Sequence, residues 1–478
     1  MYTIRNTVSV LFTILAAGLA LAGISESQAS ASPYSEVASA FDADDRFDLH
    51  LSLDYDFASR TSVIKREFVG LPGTSPDAPV PIVRDLLFSS STHTVTPKLE
   101  LGLFHDLWIS AAMPIVVNGT RSLAFDQRAS PCTFPGGGTT PTCINRVNSS
   151  TILDGLLPES GFDANDPTGP GFTNGSTIFR GPTRRGTTQL HLGFGFAPMN
   201  QRRDDAKPTW KVGAEVRLPI GSLKKFTRSN PDSNTGVSEG ITHLRLWTSM
   251  ARKLGWAEPH VEFSWKAPLS VNKDAPLANL DQDFGVTSQS PQQQASANFG
   301  VEATLWEKPE DDLRVGLDFS TKLTANFEGR GYSDMWEVFQ YAGDATVDGA
   351  PLVLDVDPTV SGAQEKSHPG ATNIENFMTV DTSLKVTADL GKKVRFSAGL
   401  GMKFEQSHLI TFADAGTDLP FCANSSQRNC ETSANDVVNP GTEEVNPLHV
   451  GLIDTAGHRY RVAEGRDFLF TLEARILF

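Results

Sequence analysis

Regular alternation of apolar and polar residues is the feature that most restricts what this chain can fold into. From Phe47 to Phe57 every second residue is apolar, and the residues between them are polar or charged. Successive side chains of a β-strand point to opposite faces, so this period of two predicts a strand with one apolar face and one polar face.

The same alternation recurs along the chain and predicts five hairpins. Their short turns fall at residues 104–106, 200–205, 253–255, 307–311 and 391–393. A last alternating segment runs from Phe468 to Phe478. With one opening and one closing strand, the pattern predicts about 12 strands, an even number as in single-chain bacterial barrels.

The segments between hairpins are much longer than the turns within them. They run from roughly 20 to nearly 70 residues, lengths that a compact soluble domain rarely tolerates six times. Short turns on one side and long loops on the other are typical of outer-membrane barrels. We therefore expect an all-β chain with one transmembrane antiparallel β-barrel over residues 46–478, short periplasmic turns and long extracellular loops. A soluble exported β-sandwich is the alternative fold.

Composition excludes other classes of protein. Hydrophobic residues make up 39% of the chain, and after its first two dozen residues no apolar run approaches the roughly 20 residues of a membrane helix. A barrel remains allowed, because its strands alternate and average to near-neutral hydropathy. The net charge of −15 argues against a nucleic-acid partner, since phosphate binding needs concentrated Lys and Arg.

The N-terminus has the pattern of a secretory signal. Arg5 is followed by an apolar stretch from Val8 to Ala22 and by the small residues Ala29 to Ala31. We expect residues 1–31 to be a cleaved signal peptide and residues 32–45 to be a short periplasmic segment, too short for a plug domain. A retained membrane anchor is the alternative.

Four cysteines form two close pairs in polar segments. In an exported chain, this spacing predicts two local disulfides, Cys132 with Cys143 and Cys422 with Cys430. A zinc site is the alternative, but neither pair has CxxC spacing or a nearby cluster of histidines.

The closing segment resembles the insertion signature of bacterial outer-membrane barrels, through the alternating residues Phe468, Phe470, Leu472, Ala474, Ile476 and Phe478. The hairpin from Thr94 to Pro114 is similar to hairpins of the MetA-pathway-like transporters of aromatic-degradation operons. The resemblance implies the outer membrane of a Gram-negative bacterium, with both termini periplasmic. It also implies membrane lipid and lipopolysaccharide around the wall, and a barrel-assembly machinery that recognises the strand ending in Phe478.

The alternate positions of the strands define a polar lumen that carries both charge signs. Buried charges must be paired or hydrated. Two interpretations stay open, a salt-bridge lattice that stiffens the barrel and a polar conduit. The predicted lumen-lining residues are Asp48, His50, Asp54, Lys98, Glu100, Lys211, Glu215, Arg217, Arg245, Glu258, His260, Glu262, Arg314, Asp318, Lys322, Asp381, Lys385, Arg395, Lys403 and Glu405.

We expect no metal site, no cofactor and no enzymatic activity. Glu258, His260 and Glu262 share one face of a strand, but same-face neighbours are about 7 Å apart, too far for one small ion without other strands. Outer-membrane phospholipases resemble serine hydrolases with His and Ser two residues apart on the lipid side. His50 and Ser52 have this spacing on the predicted lumen face, and no lipid-facing equivalent is apparent.

The function expected from these features is a passive channel or transporter for small solutes through a polar lumen. The alternative from another class is a surface interaction platform, in which the barrel carries long loops that bind a partner. An outer-membrane phospholipase is the second alternative.

Overall fold

The computed structural model describes residues 34–40, 48–69, 80–126, 144–172, 174–233, 235–278, 290–355, 365–416, 446 and 448–478. The predicted signal peptide and the two predicted disulfides lie outside these residues. No helix in the described ranges is both long enough and apolar enough to cross a membrane.

Most of the described chain is β-structure. The strands are β1 (Leu49–Glu67), β2 (Ile82–Phe104), β3 (Leu107–Ala112), β4 (Ile115–Phe125), β5 (Phe162–Asp163), β6 (Thr177–Arg180), β7 (Arg184–Thr187), β8 (Leu190–Met199), β9 (Thr209–Leu218), β10 (Ile241–Ala251), β11 (Ala257–Val271), β12 (Gln294–Lys308), β13 (Leu313–Asn326), β14 (Gly329–Gly331), β15 (Leu354–Asp355), β16 (Glu365–Lys366), β17 (Thr372–Ile374), β18 (Phe377–Leu390), β19 (Val394–Glu405), β20 (His408–Leu409) and β21 (Tyr460–Leu477). The helices are α1 (Ser150–Leu153), α2 (Trp336–Ala342) and α3 (Gly451–Asp454), with 3-10 turns at Pro231–Ser233 and Pro309–Asp311.

The long strands pair antiparallel in a closed ring of 12 wall strands. In order around the ring these are β1, β2, β3 with β4, β7 with β8, β9, β10, β11, β12, β13, β18, β19 and β21. The last strand closes on the first, from the pair His50 and Leu477 to the pair Arg66 and Tyr460. Closure leaves no unpaired edge, which a membrane-spanning sheet requires. The predicted antiparallel barrel and its strand number are confirmed.

The outer surface of the ring is an apolar belt, as the alternation predicted. Phe57 on β1 faces outward, and the next outward positions towards the loops are Ser59 and Thr61, so the belt ends there. Outward side chains that are well exposed include Leu53, Leu99, Ile109, Phe194, Leu246, Phe263, Phe299, Phe319, Val386, Leu400, Phe468 and Leu472. So large an exposed apolar surface is suited to lipid rather than to water.

The two ends of the barrel differ. The five short turns, Leu49 and Phe478 all lie at one end, called here the short-turn end. Leu49 and Phe478 exchange two backbone hydrogen bonds of 3.0 and 3.2 Å there. The opposite end is the long-loop end.

The long loops pack together over the long-loop end and form a folded cap, defined here as the described residues of 144–176, 219–240, 327–376 and 406–459. Helix α2 lies at its centre, and its residues Trp336, Val338 and Phe339 are fully buried. The apolar core that joins the loops to the wall contains Ile64, Leu86, Phe88, Leu123, Phe125, Leu156, Phe162, Ile178, Phe179, Phe226, Tyr341, Ile410, Ile453 and Tyr460.

Strands β1 and β2 continue well beyond the belt because their inner residues hold the cap. The fully buried Arg66 donates to the backbone oxygens of Ser150 at 2.9 Å and Leu452 at 2.8 Å. Asp85, also fully buried, accepts hydrogen bonds from Ser150 and Thr151 at the start of α1. The alternation predicted the first strand only as far as Phe57, since beyond it the outward residues are hydroxyls.

Candidate functional site: the barrel lumen

The predicted lumen-lining residues face inward and fall into three levels. Nearest the short-turn end is the lower network, which contains Asp48, His50, Glu100, Lys211, Glu258, His260, Arg314, Asp318 and Arg395. Above it is the chamber, which contains Asp54, Lys98, Glu215, Arg217, Arg245, Glu262, Lys322, Asp381, Lys385 and Lys403. Under the cap is the latch, defined here as Arg60, Arg184, Asp334, Glu337 and Glu405, of which Glu405 was predicted.

Residues 34–40, called here the N-terminal segment, lie inside the lower network. The Tyr34 hydroxyl donates to Asp318 Oδ2 at 2.8 Å. The Tyr34 ring stacks on the His260 ring with centroids 3.6 Å apart, and His260 Nε2 is 2.7 Å from Asp318 Oδ1. The segment therefore begins against β11 and β13.

The rest of the segment crosses to the other strands. Arg395 Nη1 donates to Glu36 Oε2 at 2.5 Å, and Arg475 Nη1 lies 4.0 Å from the same oxygen. Val37 and Ala38 pack against Trp108, Ala197 and Trp247 in a small apolar cluster. Contacts thus reach β19 and β21 on one side and β3, β8 and β10 on the other.

Two glycines make room for this packing. A Cβ atom on Gly102 would lie 2.9 Å from the backbone carbon of Ser39, so the N-terminal segment passes directly over β2 at this point. A Cβ atom on Gly195 would lie 2.2 Å from the Trp108 ring, which fills the lumen beside the segment. Only glycine admits these approaches.

Ion pairs complete the lower network. Arg395 Nε donates to Asp389 at 2.5 Å, and Arg314 Nη2 donates to Glu302 at 2.6 Å. Arg314, Arg395, Glu302 and Asp389 are all nearly inaccessible to solvent. With the N-terminal segment in place, these four side chains are packed in the interior, while Glu100 on the β2 side stays 38% exposed.

The chamber is open in comparison. The Lys98 side chain is 46% exposed and the Glu262 side chain 38% exposed, although both face into a closed ring. Lys322 is exposed as well. These side chains therefore meet an internal space that water can fill.

Charges in the chamber are separated by side. On β9 to β13, Arg217 pairs with Glu215 at 2.6 Å and Arg245 with Glu262 at 2.5 Å, while Lys266 has no ion pair among the described residues. Lys322 on β13 likewise lies in no ion pair with a described residue.

On the other arc, from β18 through β21 to β2, the lysines are all paired. The pairs are Lys98 with Asp54, Lys385 with Glu473 at 2.8 Å, and Lys403 with Asp467. Asp56 and Asp381 have no ion pair within the described ranges. Strands β1 and β11 are six places apart in the ring, so Asp56 and Lys266 lie on opposite walls. The chamber has a net positive charge on one wall and a net negative charge on the other, and the two walls meet where Lys322 of β13 lies opposite Asp381 of β18.

The latch joins the cap to the wall below it. Arg60 Nη2 donates to Asp334 at 2.9 Å and its Nη1 to Glu405 at 2.8 Å. Arg184 Nη2 donates to Glu337 of α2 at 2.7 Å. These bonds hold α2 across the mouth of the barrel.

Cations also surround the indole ring of Trp336. The guanidinium carbons of Arg184 and Arg121 lie 4.7 and 5.4 Å from the ring centroid, and Lys224 Nζ lies 5.2 Å away. Burial in the cap lowers the pKa of Lys224 to about 8. Arrangements of this kind contribute about 0.5–2 kcal/mol per cation.

Some of these residues follow from the alternation and others do not. Glu302, Glu473 and Arg475 alternate with outward residues on their strands, so the same rule that found their neighbours indicates them. Glu36 and Asp334 lie outside the alternating segments, and nothing local in the sequence marks them.

The arrangement of the described residues gives little support for a metal site or a hydrolytic site. Among the described residues, no three His, Cys, Asp or Glu side chains form a group that could hold a metal ion. His50 and Ser52 face inward, as predicted.

The prediction that no lipid-facing Ser and His share this spacing is wrong, since Ser91 and His93 both face outward. His93 Nδ1 is bonded to the Tyr55 hydroxyl at 2.7 Å and Ser91 to Thr120 at 3.0 Å. Ser91 and His93 form no hydrogen bond with each other.

Comparisons with known proteins give similar folds at low similarity. No protein-family model matches the chain, and no curated protein matches it. An outer-membrane channel from Pseudomonas putida F1 is 9% identical with a TM-score of 0.39, over 94% of this chain and 100% of that one. A FadL homologue of Pseudomonas aeruginosa is 8% identical with a TM-score of 0.30, over 95% and 99%. The outer-membrane protease OmpT of Escherichia coli is 7% identical with a TM-score of 0.28, over 90% and 98%. Because these TM-scores are low, the architecture rests on the strand pairing of the chain itself.

Proposed function

We propose that the protein is a channel of the outer membrane of a Gram-negative bacterium, for passive passage of small polar or charged solutes. The observation that carries this proposal is the chamber, where charged side chains such as Lys98 and Glu262 stay exposed inside a ring with an apolar outer belt. A lumen that served only to stiffen the barrel would have its charges paired and buried, as Arg314, Glu302, Arg395 and Asp389 are in the lower network.

Passage requires movement at both ends of the chamber. The N-terminal segment fills the short-turn end, and α2 with the latch covers the mouth. Barrels of about 12 strands lie between small side-chain-filled barrels and wide porins, so a narrow path is the size expected.

Because the charges of the chamber are separated, the proposed channel can be tested through its ion selectivity. Purified full-length protein in planar bilayers should pass small ions in brief openings. Lys266→Glu should shift the selectivity towards cations and Asp56→Lys towards anions, because each reverses one unpaired charge. Lys308→Glu, an exposed lysine at a short turn, is the control and should change nothing.

Two outcomes would contradict the channel. One is the absence of conductance and of solute flux into liposomes even after residues 32–40 are removed. The other is conductance whose selectivity ignores both chamber substitutions. In the first case the cap would be left as a surface for binding partners, the platform alternative.

We also propose that the short-turn end and both termini are periplasmic and that the cap is extracellular. The location of Leu49 and Phe478 at one end supports this. A cysteine placed at the exposed Val147 of the cap should react with a membrane-impermeant thiol reagent on intact cells, and one placed at Glu310 in a short turn should not. The reverse pattern would refute the orientation.

Cleavage after residue 31, the disulfides Cys132–Cys143 and Cys422–Cys430, surrounding lipopolysaccharide and recognition of the strand ending in Phe478 by the assembly machinery stay predictions. Mass spectrometry of the mature protein under non-reducing conditions tests the first two of these.

A further inference from the structure

A cavity of about 430 Å³ opens on the outer face of the cap where three long loops meet. The loop of α1 contributes Arg146 and Leu153, the loop between β9 and β10 contributes Arg228, and α2 contributes Tyr341. The volume is within the range of small-molecule sites, roughly 300–1,000 Å³.

Two guanidinium groups give this cavity a positive character. The Arg228 side chain lies over the face of the Tyr341 ring, with Cζ 4.4 Å from the centroid. Neither Arg228 nor Arg146 forms an ion pair with any carboxylate of the described chain. Glu159 also lines the cavity, and its backbone oxygen accepts a 2.5 Å hydrogen bond from Arg146 Nη1.

Arg146 has further capacity for hydrogen bonding. Its Nη2 atom is buried and has no hydrogen-bond partner in the described part of the chain. An unsatisfied buried guanidinium nitrogen costs free energy unless an acceptor reaches it. A planar carboxylate is the acceptor that fits a guanidinium fork best.

The rest of the lining is apolar and partly exposed. Val147 is 73% exposed and Leu153 56% exposed at the rim, while Leu157 forms a buried part of the wall. Large exposed apolar side chains beside unpaired cations are a combination that suits a ligand with both an apolar body and an anionic group.

We propose that this cavity binds small organic carboxylates that have an apolar body, with Arg228 and Arg146 receiving the carboxylate and Leu153 and Val147 contacting the body. The inference names a class of solute for the proposed channel and rests on that proposal for its role in uptake. Binding itself is measurable without transport.

The test uses full-length protein in lipid nanodiscs and fluorine NMR of 4-fluorobenzoate, with 4-fluorobenzyl alcohol as the uncharged analogue. The carboxylate should bind saturably, and the alcohol about tenfold more weakly or less. Arg228→Gln and Arg146→Gln should each weaken binding about tenfold or more, the loss expected for one charge-assisted hydrogen bond. Leu153→Ser should weaken it by a smaller factor.

The matched control is Arg185→Gln, an exposed arginine outside the cavity, which should leave binding unchanged. Heat-modifiable migration of every variant on a denaturing gel keeps loss of binding distinct from loss of fold. Because Arg146 also bonds the backbone of its own loop, the Arg228 variant decides the outcome if the Arg146 variant misfolds.

Three results would overturn the proposal: no saturable binding of 4-fluorobenzoate, equal binding of the alcohol, or equal binding by the Arg228→Gln and Arg185→Gln variants. Conductance without binding would overturn this site and leave the channel standing. Binding without conductance would overturn the channel and leave this site standing.

Discussion

Glu36 is the residue through which docking of the N-terminal segment is best tested. Replacing Glu36 by Gln removes the negative charge that lies between Arg395 and Arg475. Both arginines keep another carboxylate, Asp389 and Glu100, so neither becomes an uncompensated buried charge. The loss is then that of a charged hydrogen bond, about 1.5–3 kcal/mol, rather than the 3–5 kcal/mol of a broken buried pair.

That loss changes how often the segment leaves the lumen. Since 1.4 kcal/mol corresponds to a factor of ten, the ratio of undocked to docked molecules should rise about 10- to 150-fold. A cysteine in place of Lys98, whose side chain is exposed in the chamber, reports on this ratio through its rate of reaction with a small charged thiol reagent. The rate follows the open population when opening and closing are fast relative to labelling.

The control for this experiment is Glu310→Gln, which removes a carboxylate from an exposed short turn. Its labelling rate should match that of the parent with the same reporter. If Glu36→Gln leaves the rate unchanged in folded, heat-modifiable protein, the segment does not close the chamber, and the reasoning fails.

Three further perturbations follow from the packing. Glu337→Gln should remove the carboxylate that bonds Arg184 and destabilise the cap by about 1.5–3 kcal/mol, the value of a charged hydrogen bond; hydrogen exchange at α2 should then accelerate while strand amides stay protected, and uniform protection would contradict the latch. Burial lowers the pKa of His368 to about 3, below that of the unfolded chain, so the unfolded state binds more protons and this residue should reduce cap stability by up to about 4 kcal/mol as pH drops from 6.5 towards 3; thermal scans should show the parent losing stability relative to His368→Gln over this range, and parallel slopes would refute it. Gly195→Ala should cost about 1–3 kcal/mol, because its Cβ meets the Trp108 ring, and an unchanged urea midpoint would exclude that clash.

The barrel could be predicted because lipid imposes a rule on each strand separately. Every wall strand must turn one face to hydrocarbon, so the period of two survives from Leu49 in β1 to Ile476 in β21. The pairing of the first and last strands then follows from closure. No long-range information is needed for either step.

The ends of the lumen could not be predicted, because they depend on contacts between distant residues. Residues 32–45 are too short to form a domain, yet the described part of this segment fills one end of the barrel. Glu36 reaches Arg395, which lies 359 positions further along the chain. No local pattern marks such a pair.

The cap could not be predicted from the sequence either, for a different reason. Trp336 and Phe339 belong to a helix of seven residues, shorter than a periodic apolar face needs to be recognised. Their burial comes from other loops, and those loops contribute apolar residues singly, such as Phe162 and Phe226. The latch residue Arg60 belongs to an alternating strand, but its partner Asp334 does not.

The position of the N-terminal segment sets an order for the folding of the molecule. Its binding surface is assembled from β11 and β13 through Tyr34, from β19 and β21 through Glu36, and from β3, β8 and β10 through Val37 and Ala38. This surface does not exist until strands from both halves of the ring have met, and contacts of such wide sequence separation form late. The first residues of the described chain are therefore the last to find their place, and their docking marks a finished barrel.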